Sequence, residues 1–211
     1  MSGASETRIR VMTVDDHPLM RDGIMAVLSG ERDIQVVAEA TCGLEAIERF
    51  AEIRPDVTLM DLKLPDVHGA EVITRLHRDH PDARFIILTT YQGDVQAARA
   101  FQAGASAYLL KGAMRTELAQ TIRTVHAGGM HVPPEIAEGL VAGLGGQVLS
   151  AREVQVVELV AQGRSNKEIG AALHVSEDTV KAHLKRIAQK LHARDRAHMV
   201  AIALRRGYLI E

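Results

Sequence analysis

The sequence predicts an α/β fold, a doubly wound five-stranded parallel sheet, followed by a smaller all-α unit of four helices. Over the first 126 residues, β-type apolar runs alternate with helical patterns five times. Three of those runs stop at charged groups: Arg8–Val14 at Asp15-Asp16, Val57–Met60 at Asp61, and Ala107–Leu110 at Lys111. Residues 148–211 carry no strand pattern but repeat the signals that start helices.

The elements follow in order. Ile9–Val14 is a β-branched run, and His17-Pro18 opens a helix with proline in its first turn; Leu19, Met20, Ile24, Val27 and Leu28 ride on it until Ser29-Gly30. Ile34–Ala40 reads as the second strand and Leu44–Glu52 as the second helix. Val57–Met60 is the third strand, and Pro65 and Gly69 punctuate the loop before a helix over Ala70–His80. Phe85–Leu88 is wholly apolar, Asp94–Ala103 helical, Ala107–Leu110 the fifth strand and Arg115–His126 the fifth helix. Strands without polar alternation belong in a parallel sheet covered on both faces. Right-handed crossovers then give the doubly wound arrangement.

Residues 127–147 read as a linker rich in Gly and Pro, with one short helix expected over Glu135–Ala142. Beyond it, Ser150 with Glu153 and Ser165 with Glu168 have the spacing of capping boxes, in which each side chain satisfies the other's free backbone amide. Ser176, followed by Glu177 and Asp178, favours a third start, and Arg196–Arg206 fits a fourth helix ended by Gly207. A tight break between the second and third helices predicts a helix-turn-helix.

Composition narrows the function. The single cysteine, Cys42, forms no internal disulfide and suits a reducing cytoplasm. No apolar run reaches the ~20 residues of a membrane span, and the polar start MSGASETRIR lacks the apolar core of a secretion signal. Residues 1–147 hold 14 Lys+Arg against 20 Asp+Glu, whereas residues 148–211 hold 11 against 7. A basic C-terminal unit points to an anionic partner, with nucleic acid first.

In a parallel sheet the strand ends converge on one edge, where open α/β sheets place their ligands. Asp15, Asp16 and Asp61 would meet there, and two such charges 4 Å apart repel by ~4 kcal/mol at an effective dielectric near 20. A hard dication such as Mg²⁺ relieves that conflict and leaves room for phosphate oxygens. One carboxylate can then attack phosphorus to form an acyl phosphate, with Lys111 and the Thr89 hydroxyl on the same edge. His17 and His68 flank the acids and read as loop residues rather than ligands.

In order and spacing, Asp15-Asp16, Asp61, Thr89, Tyr108 and Lys111 resemble the receiver domain of bacterial response regulators, over roughly residues 8–126. The resemblance implies a flavodoxin-like receiver with Asp61 as phosphoacceptor. It implies that Asp15, Asp16, Asp61 and the Lys63 backbone carbonyl hold Mg²⁺, and that Thr89 and Lys111 contact the phosphoryl oxygens. Tyr108 is then the switch aromatic. Two positions depart from the pattern: Gly112 follows Lys111 where proline is common, and Thr90 stands where many receivers have Ala or Gly.

The basic helix begins near Ser176. Lys181 and Lys185 share one face with Ala182 and Arg186, while Val180, Leu184, Ile187 and Leu191 have core spacing on the other. Such a helix can pack inward and enter a major groove outward. Asn166, Lys167, Thr179 and Lys190 are candidate phosphate contacts that fix register. The run from Leu149 to Leu191 resembles the LuxR-type helix-turn-helix of NarL/FixJ response regulators. That resemblance places Lys181, Ala182 and Lys185 at base-facing positions. It also implies a two-fold dimer, with part of Met199, Val200, Ile202, Ala203 and Leu204 exposed for it.

The sequence therefore predicts a cytoplasmic transcription factor rather than an enzyme. Its receiver spans residues 1–126, its linker 127–147 and its DNA-binding unit 148–211. The expected partners are a sensor histidine kinase, double-stranded promoter DNA and a second copy of the chain, with no membrane. Two alternatives stand beside it. One is a DNA-binding regulator whose receiver is not switched by phosphate. The other is an aspartyl-phosphate phosphatase, which typically has a second Asp two residues after the nucleophile, where this chain has Lys63.

Overall fold

A computed structural model describes residues 8–90, 93–134, 136–138 and 148–209. The chain divides into two compact units, Met1–Thr90 with Arg99–Pro133, and Tyr91–Ala98 with Pro134–Glu211.

In the first unit the strands are β1 (Ile9–Val14), β2 (Ile34–Ala40), β3 (Val57–Met60), β4 (Phe85–Thr89) and β5 (Ala107–Leu110). They pair in parallel in the order β2-β1-β3-β4-β5. The intervening helices are α1 (Pro18–Leu28), α2 (Gly43–Ile53), α3 (Gly69–Asp79) and α4 (Asp94–Ala103), whose residues 94–98 are grouped with the second unit, and α5 (Met114–His126) follows β5. The five strands and five helices stand within a residue or two of their expected bounds.

Alternation along the strands divides the core between the two sheet faces. Val11, Leu59, Ile86, Leu88 and Leu109 join Ile24 and Leu28 of α1 and Leu118, Ile122 and Val125 of α5 in one cluster. Phe85 points the other way and stacks on Phe50 of α2 at 6.1 Å between ring centroids. Burying a side chain of this size contributes roughly 1.5–3 kcal/mol, so aliphatic layers hold the sheet without tryptophan.

The strand order reverses direction at β1 and β3. From β1 the chain crosses to β2 on one side, and from β3 it proceeds to β4 and β5 on the other. Val14 pairs with Met60 in register, and the Asp61 amide donates to the Val14 carbonyl at 2.9 Å. The residues after both strands therefore emerge side by side at the switch point. After β5 the chain forms a 3₁₀ turn over Lys111–Ala113, and no cis peptide occurs among the described residues.

The expected linker begins later than its composition suggests. His131 bridges Ala107, and the Tyr108 amide donates to the His131 carbonyl at 3.0 Å; residues up to 133 thus stay with the sheet. Of the helix expected over 135–142, residues 136–138 are described and are helical, and the rest lies outside the described residues.

In the second unit, α6 (Ala151–Ala161), α7 (Asn166–Leu173), α8 (Glu177–Leu191) and α9 (Arg196–Arg205) follow one another. Both capping boxes form: Ser150 with Glu153, and Ser165 with Glu168. The turn between α7 and α8 has His174 in the left-handed region at φ 54°. It also brings the Val175 carbonyl to within 2.7 Å of where a β-carbon on Gly170 would lie. Only glycine leaves room for that crossing. Val156, Val160, Ile169, Val180, Ile187 and Leu191 share a core with Met199, Ile202 and Ala203. Tyr208 closes it, its hydroxyl accepting from the Leu149 amide at 2.9 Å.

Candidate functional site

The switch point collects the acids and the ammonium into one cluster. Lys111 Nζ donates to Asp61 Oδ2 at 2.7 Å and stands 2.7 Å from Asp15 Oδ2. Asp15 is 1% and Asp61 5% exposed. Asp15 Oδ2 and Asp61 Oδ2 thus share one ammonium. The Lys63 amide donates to Asp61 Oδ1 at 3.3 Å. Asp16 is half-buried beside them.

Electrostatics follow from two buried carboxylates sharing one ammonium. Burial raises the Asp61 pKa above its ordinary value, against the opposing pull of the Lys111 hydrogen bond and charge. Burial alone would lower Lys111, but the Asp15 and Asp61 carboxylates outweigh it and hold the ammonium firmly protonated. The donor set is oxygen-rich, compact and short of positive charge, which fits a hard divalent cation.

The remaining predicted residues take these places. Thr89 ends β4, and Tyr108 lies opposite Ile87 on β5, so Thr89 and Tyr108 project from the same sheet face. Both are fully buried. The Tyr108 ring is thus inside the unit, where burial, joined by the Asp61 charge, pushes its hydroxyl pKa up. His68 caps α3, its Nδ1 accepting from the Ala70 amide at 3.3 Å, and burial lowers its pKa. Cys42 is half-buried at the start of α2.

Two residues near the acids matter more than their sequence position suggests. A β-carbon on Gly69 would lie 2.1 Å from the Asp61 carbonyl oxygen, so α3 can start this close to the acid only from glycine. We expect Gly69→Ala to cost about 1–3 kcal/mol as the helix start is displaced, and to slow modification at Asp61; an unchanged urea midpoint would refute this. His17, read from sequence as a loop residue, lies just before α1 as an exposed residue, with Nδ1 2.7 Å from Asp16 Oδ1. The only sequence signal for that was its position directly after the Asp pair.

On α8 the predicted basic face is exposed: Lys181, Ala182, Lys185 and Arg186 all face solvent. Lys181 already pairs with Glu177 at 3.3 Å and Asp178 at 3.1 Å on its own helix. Thr179 is exposed and tied to the Ser176 cap. Lys167 is exposed, and the Asn166 side chain accepts from Arg196 at 3.2 Å. Lys190 is less available than its sequence position suggests. Its ammonium lies 2.6 Å from the buried Glu153 carboxylate and donates to the Val148 carbonyl at 3.2 Å.

Comparison with known proteins agrees with both halves. Residues 11–123 match the response regulator receiver domain family, and residues 147–203 match the bacterial regulatory proteins of the luxR family. The response regulator protein VraR of Staphylococcus aureus is 34% identical over 206 residues, covering 95% of this chain and 99% of VraR. A crystal structure of a LuxR-family two-component response regulator from Aurantimonas sp. superposes with a TM-score of 0.62 at 36% identity, covering 66% of this chain and 99% of that one. RcsB of Salmonella enterica serovar Typhimurium, bound to promoter DNA with the phosphomimetic BeF3⁻, is similar in fold alone. Its TM-score is 0.73 at 23% identity, over 94% of this chain and 99% of that one. The acid cluster at the sheet's switch point and the helix-turn-helix behind it are thus parts of one known combination, and the chain belongs to the LuxR-type response regulators.

Proposed function

We propose that this chain is a two-component transcription factor that a sensor histidine kinase phosphorylates on Asp61. The observation that carries this reading is the convergence of Asp15, Asp61 and Lys111, 2.7 Å apart across the ammonium, at the edge where β1 and β3 diverge. Asp61 Oδ attacks the phosphorus of a phosphohistidine, the P–N bond breaks, and the acyl phosphate forms on Asp61. Asp15, Asp16, Asp61 and the Lys63 carbonyl are the residues that would hold Mg²⁺, which supplies neutralisation of the phosphoryl charge. Lys111 moves from pairing carboxylates to pairing a phosphoryl oxygen, and the Thr89 hydroxyl approaches another. Tyr108, on the same sheet face, reports that rearrangement as a change in packing.

Phosphorylation shifts the receiver toward its active population, and the second unit dimerises on inverted half-sites. Lys181, Ala182 and Lys185 face the bases. Asn166, Lys167 and Thr179 hold the phosphates, and Lys190 joins them only by leaving Glu153. RcsB, similar in fold, is bound to promoter DNA in the presence of the phosphomimetic BeF3⁻. No helix among the described residues is long and apolar enough to cross a membrane, in keeping with a regulator working in the cytoplasm.

Binding of the purified protein to a genomic fragment pool, with and without acetyl phosphate and Mg²⁺, tests the reading. Selective binding strengthened by the phosphodonor is expected; selective binding indifferent to it would leave the regulator and remove the switch. Within the interface, Lys185 has no acid pairing it in its own turn, whereas Lys181 must leave Glu177 and Asp178. Lys185→Ala is therefore expected to cost the larger affinity, about 1–3 kcal/mol, in electrophoretic titrations at two salt concentrations. A larger loss from Lys181→Ala would reverse the assignment.

A further inference from the structure

The two buried carboxylates of the acid cluster have anchors of their own. Lys111 meets both. The His17 amide donates to Asp15 Oδ1 at 2.9 Å, and the Lys63 amide to Asp61 Oδ1 at 3.3 Å. Asp16 is placed differently: its side chain is 35% exposed and pairs with the exposed His17 ring. What brings Asp16 to the cluster is therefore its backbone, just past the end of β1 at Val14. The Asp15 amide still bonds β2, donating to the Ala40 carbonyl at 3.1 Å.

The peptide joining Asp15 to Asp16 is held from α1. Arg21 Nη1 donates to the Asp15 carbonyl at 2.8 Å, and Arg21 Nε donates to Glu39 Oε2 on β2 at 3.0 Å. The Arg21 side chain is only 17% exposed. A guanidinium presents its donors in a fixed planar fork, so one residue ties together the end of β1, the start of α1 and the end of β2. Holding the Asp15 carbonyl holds the plane of the peptide, and that plane sets the point from which the Asp16 side chain leaves the backbone. Glu39 also balances the charge of the guanidinium, which alone would compete with a cation for the acids.

We propose that Arg21, oriented by Glu39, is a positioning residue for phosphoryl transfer: it holds the Asp15–Asp16 peptide so that the Asp16 carboxylate faces the cation site. The inference rests on reading Asp15, Asp16 and Asp61 as that site, and adds a residue that touches neither the ion nor the phosphoryl group. Groups that orient ligands in this way account for about 10–100-fold of metal affinity. Position and charge act here with opposite signs. A guanidinium serving only as a nearby positive charge would weaken Mg²⁺ binding, so its removal would strengthen it. A guanidinium that holds the peptide gives the reverse.

Mg²⁺ titration of the full-length protein without phosphodonor, followed by amide NMR shifts, reads that sign. Arg21→Gln should weaken Mg²⁺ binding about tenfold, and Arg21→Lys, which keeps the charge but not the fork, should weaken it too. Glu39→Gln leaves Arg21 its bond to Asp15 and should lose about threefold, the scale of a partly exposed ion pair. The double variant should bind much as Arg21→Gln does, because Glu39 acts through Arg21. With acetyl phosphate, the half-saturating Mg²⁺ concentration should rise in the same order, while the rate at saturating Mg²⁺ falls far less. Affinity unchanged or raised in Arg21→Gln, or additive losses in the double variant, overturns the role of Arg21 and leaves the cation site standing. Glu39→Gln decides the matter if Arg21→Gln does not fold, since undiminished affinity there overturns the arrangement. A wild-type protein with no saturable Mg²⁺ response overturns the cation site itself, and the role of Arg21 with it.

Discussion

Asp61→Asn is expected to abolish acyl-phosphate formation, by more than ~10³-fold, the scale on which losing a nucleophile acts. A neutral amide oxygen cannot displace the leaving group. Lys111 would keep its Asp15 partner, 2.7 Å away. The fold should survive. Burial raises the Asp61 pKa, so in metal-free protein its charged form opposes folding. That cost is absent below the ordinary value of 3.8 and grows as pH rises through the raised folded value. The amide removes it, so the metal-free variant should melt at or above the wild-type temperature near neutral pH. Incubation with acetyl phosphate and phosphate-affinity electrophoresis provides the check. A phosphoprotein formed at wild-type levels in the variant would sink the assignment of Asp61.

The second large effect belongs to Glu153. Its carboxylate accepts from the Ser150 amide at 2.7 Å, capping α6, and from Lys190 on α8 at 2.6 Å. Glu153→Ala removes the cap, worth about 1 kcal/mol, and leaves the half-buried Lys190 ammonium without its carboxylate. Breaking a fully buried pair costs ~3–5 kcal/mol, but the Lys190 side chain is 32% exposed and solvent screens part of that. A combined loss of about 2–4 kcal/mol is a large share of a small domain's ~5–15 kcal/mol. Urea unfolding followed by helical circular dichroism should show an early transition for the second unit. DNA binding should fall with it while Asp61 remains phosphorylatable. Glu153→Gln, which keeps an acceptor for Ser150, should recover part of the loss.

The pH dependence has a definite sign. Burial acts to raise the Glu153 pKa but is outweighed by Lys190 and Ser150, leaving it below the ordinary 4.5. Its stabilisation is therefore complete above 4.5 and is lost as pH falls from there through the lowered folded value. An unchanged midpoint in Glu153→Ala would refute the account.

Much of this was legible beforehand because it depends on local chemistry. The continuous apolar run Phe85–Leu88 read as a buried strand and forms one over Phe85–Thr89, and the spacings from Ser150 to Glu153 and from Ser165 to Glu168 announced helix starts that form as capping boxes. The convergence of Asp15, Asp61 and Lys111 was legible too, because parallel strands with short exits bring their ends to one edge. Side-chain competition was not. Lys181 read as a base-facing residue and Lys190 as a phosphate contact, yet one pairs within its own turn and the other with a carboxylate 37 residues away.

The amino-acid order alone determined the parallel sheet, the two-unit organisation, the acid cluster and the basic helix, since each rests on periodicity, capping or spacing along the chain. The tertiary structure decided what depends on distances between elements. It set how closely Gly69 approaches the Asp61 carbonyl, why Gly170 must be glycine beneath Val175, which cations remain available to an anion, and that His17 turns toward Asp16. Those outcomes depend on how closely backbone and side chains approach one another once the elements have packed. Packing fixes such approaches, and no pattern of residue types encodes them.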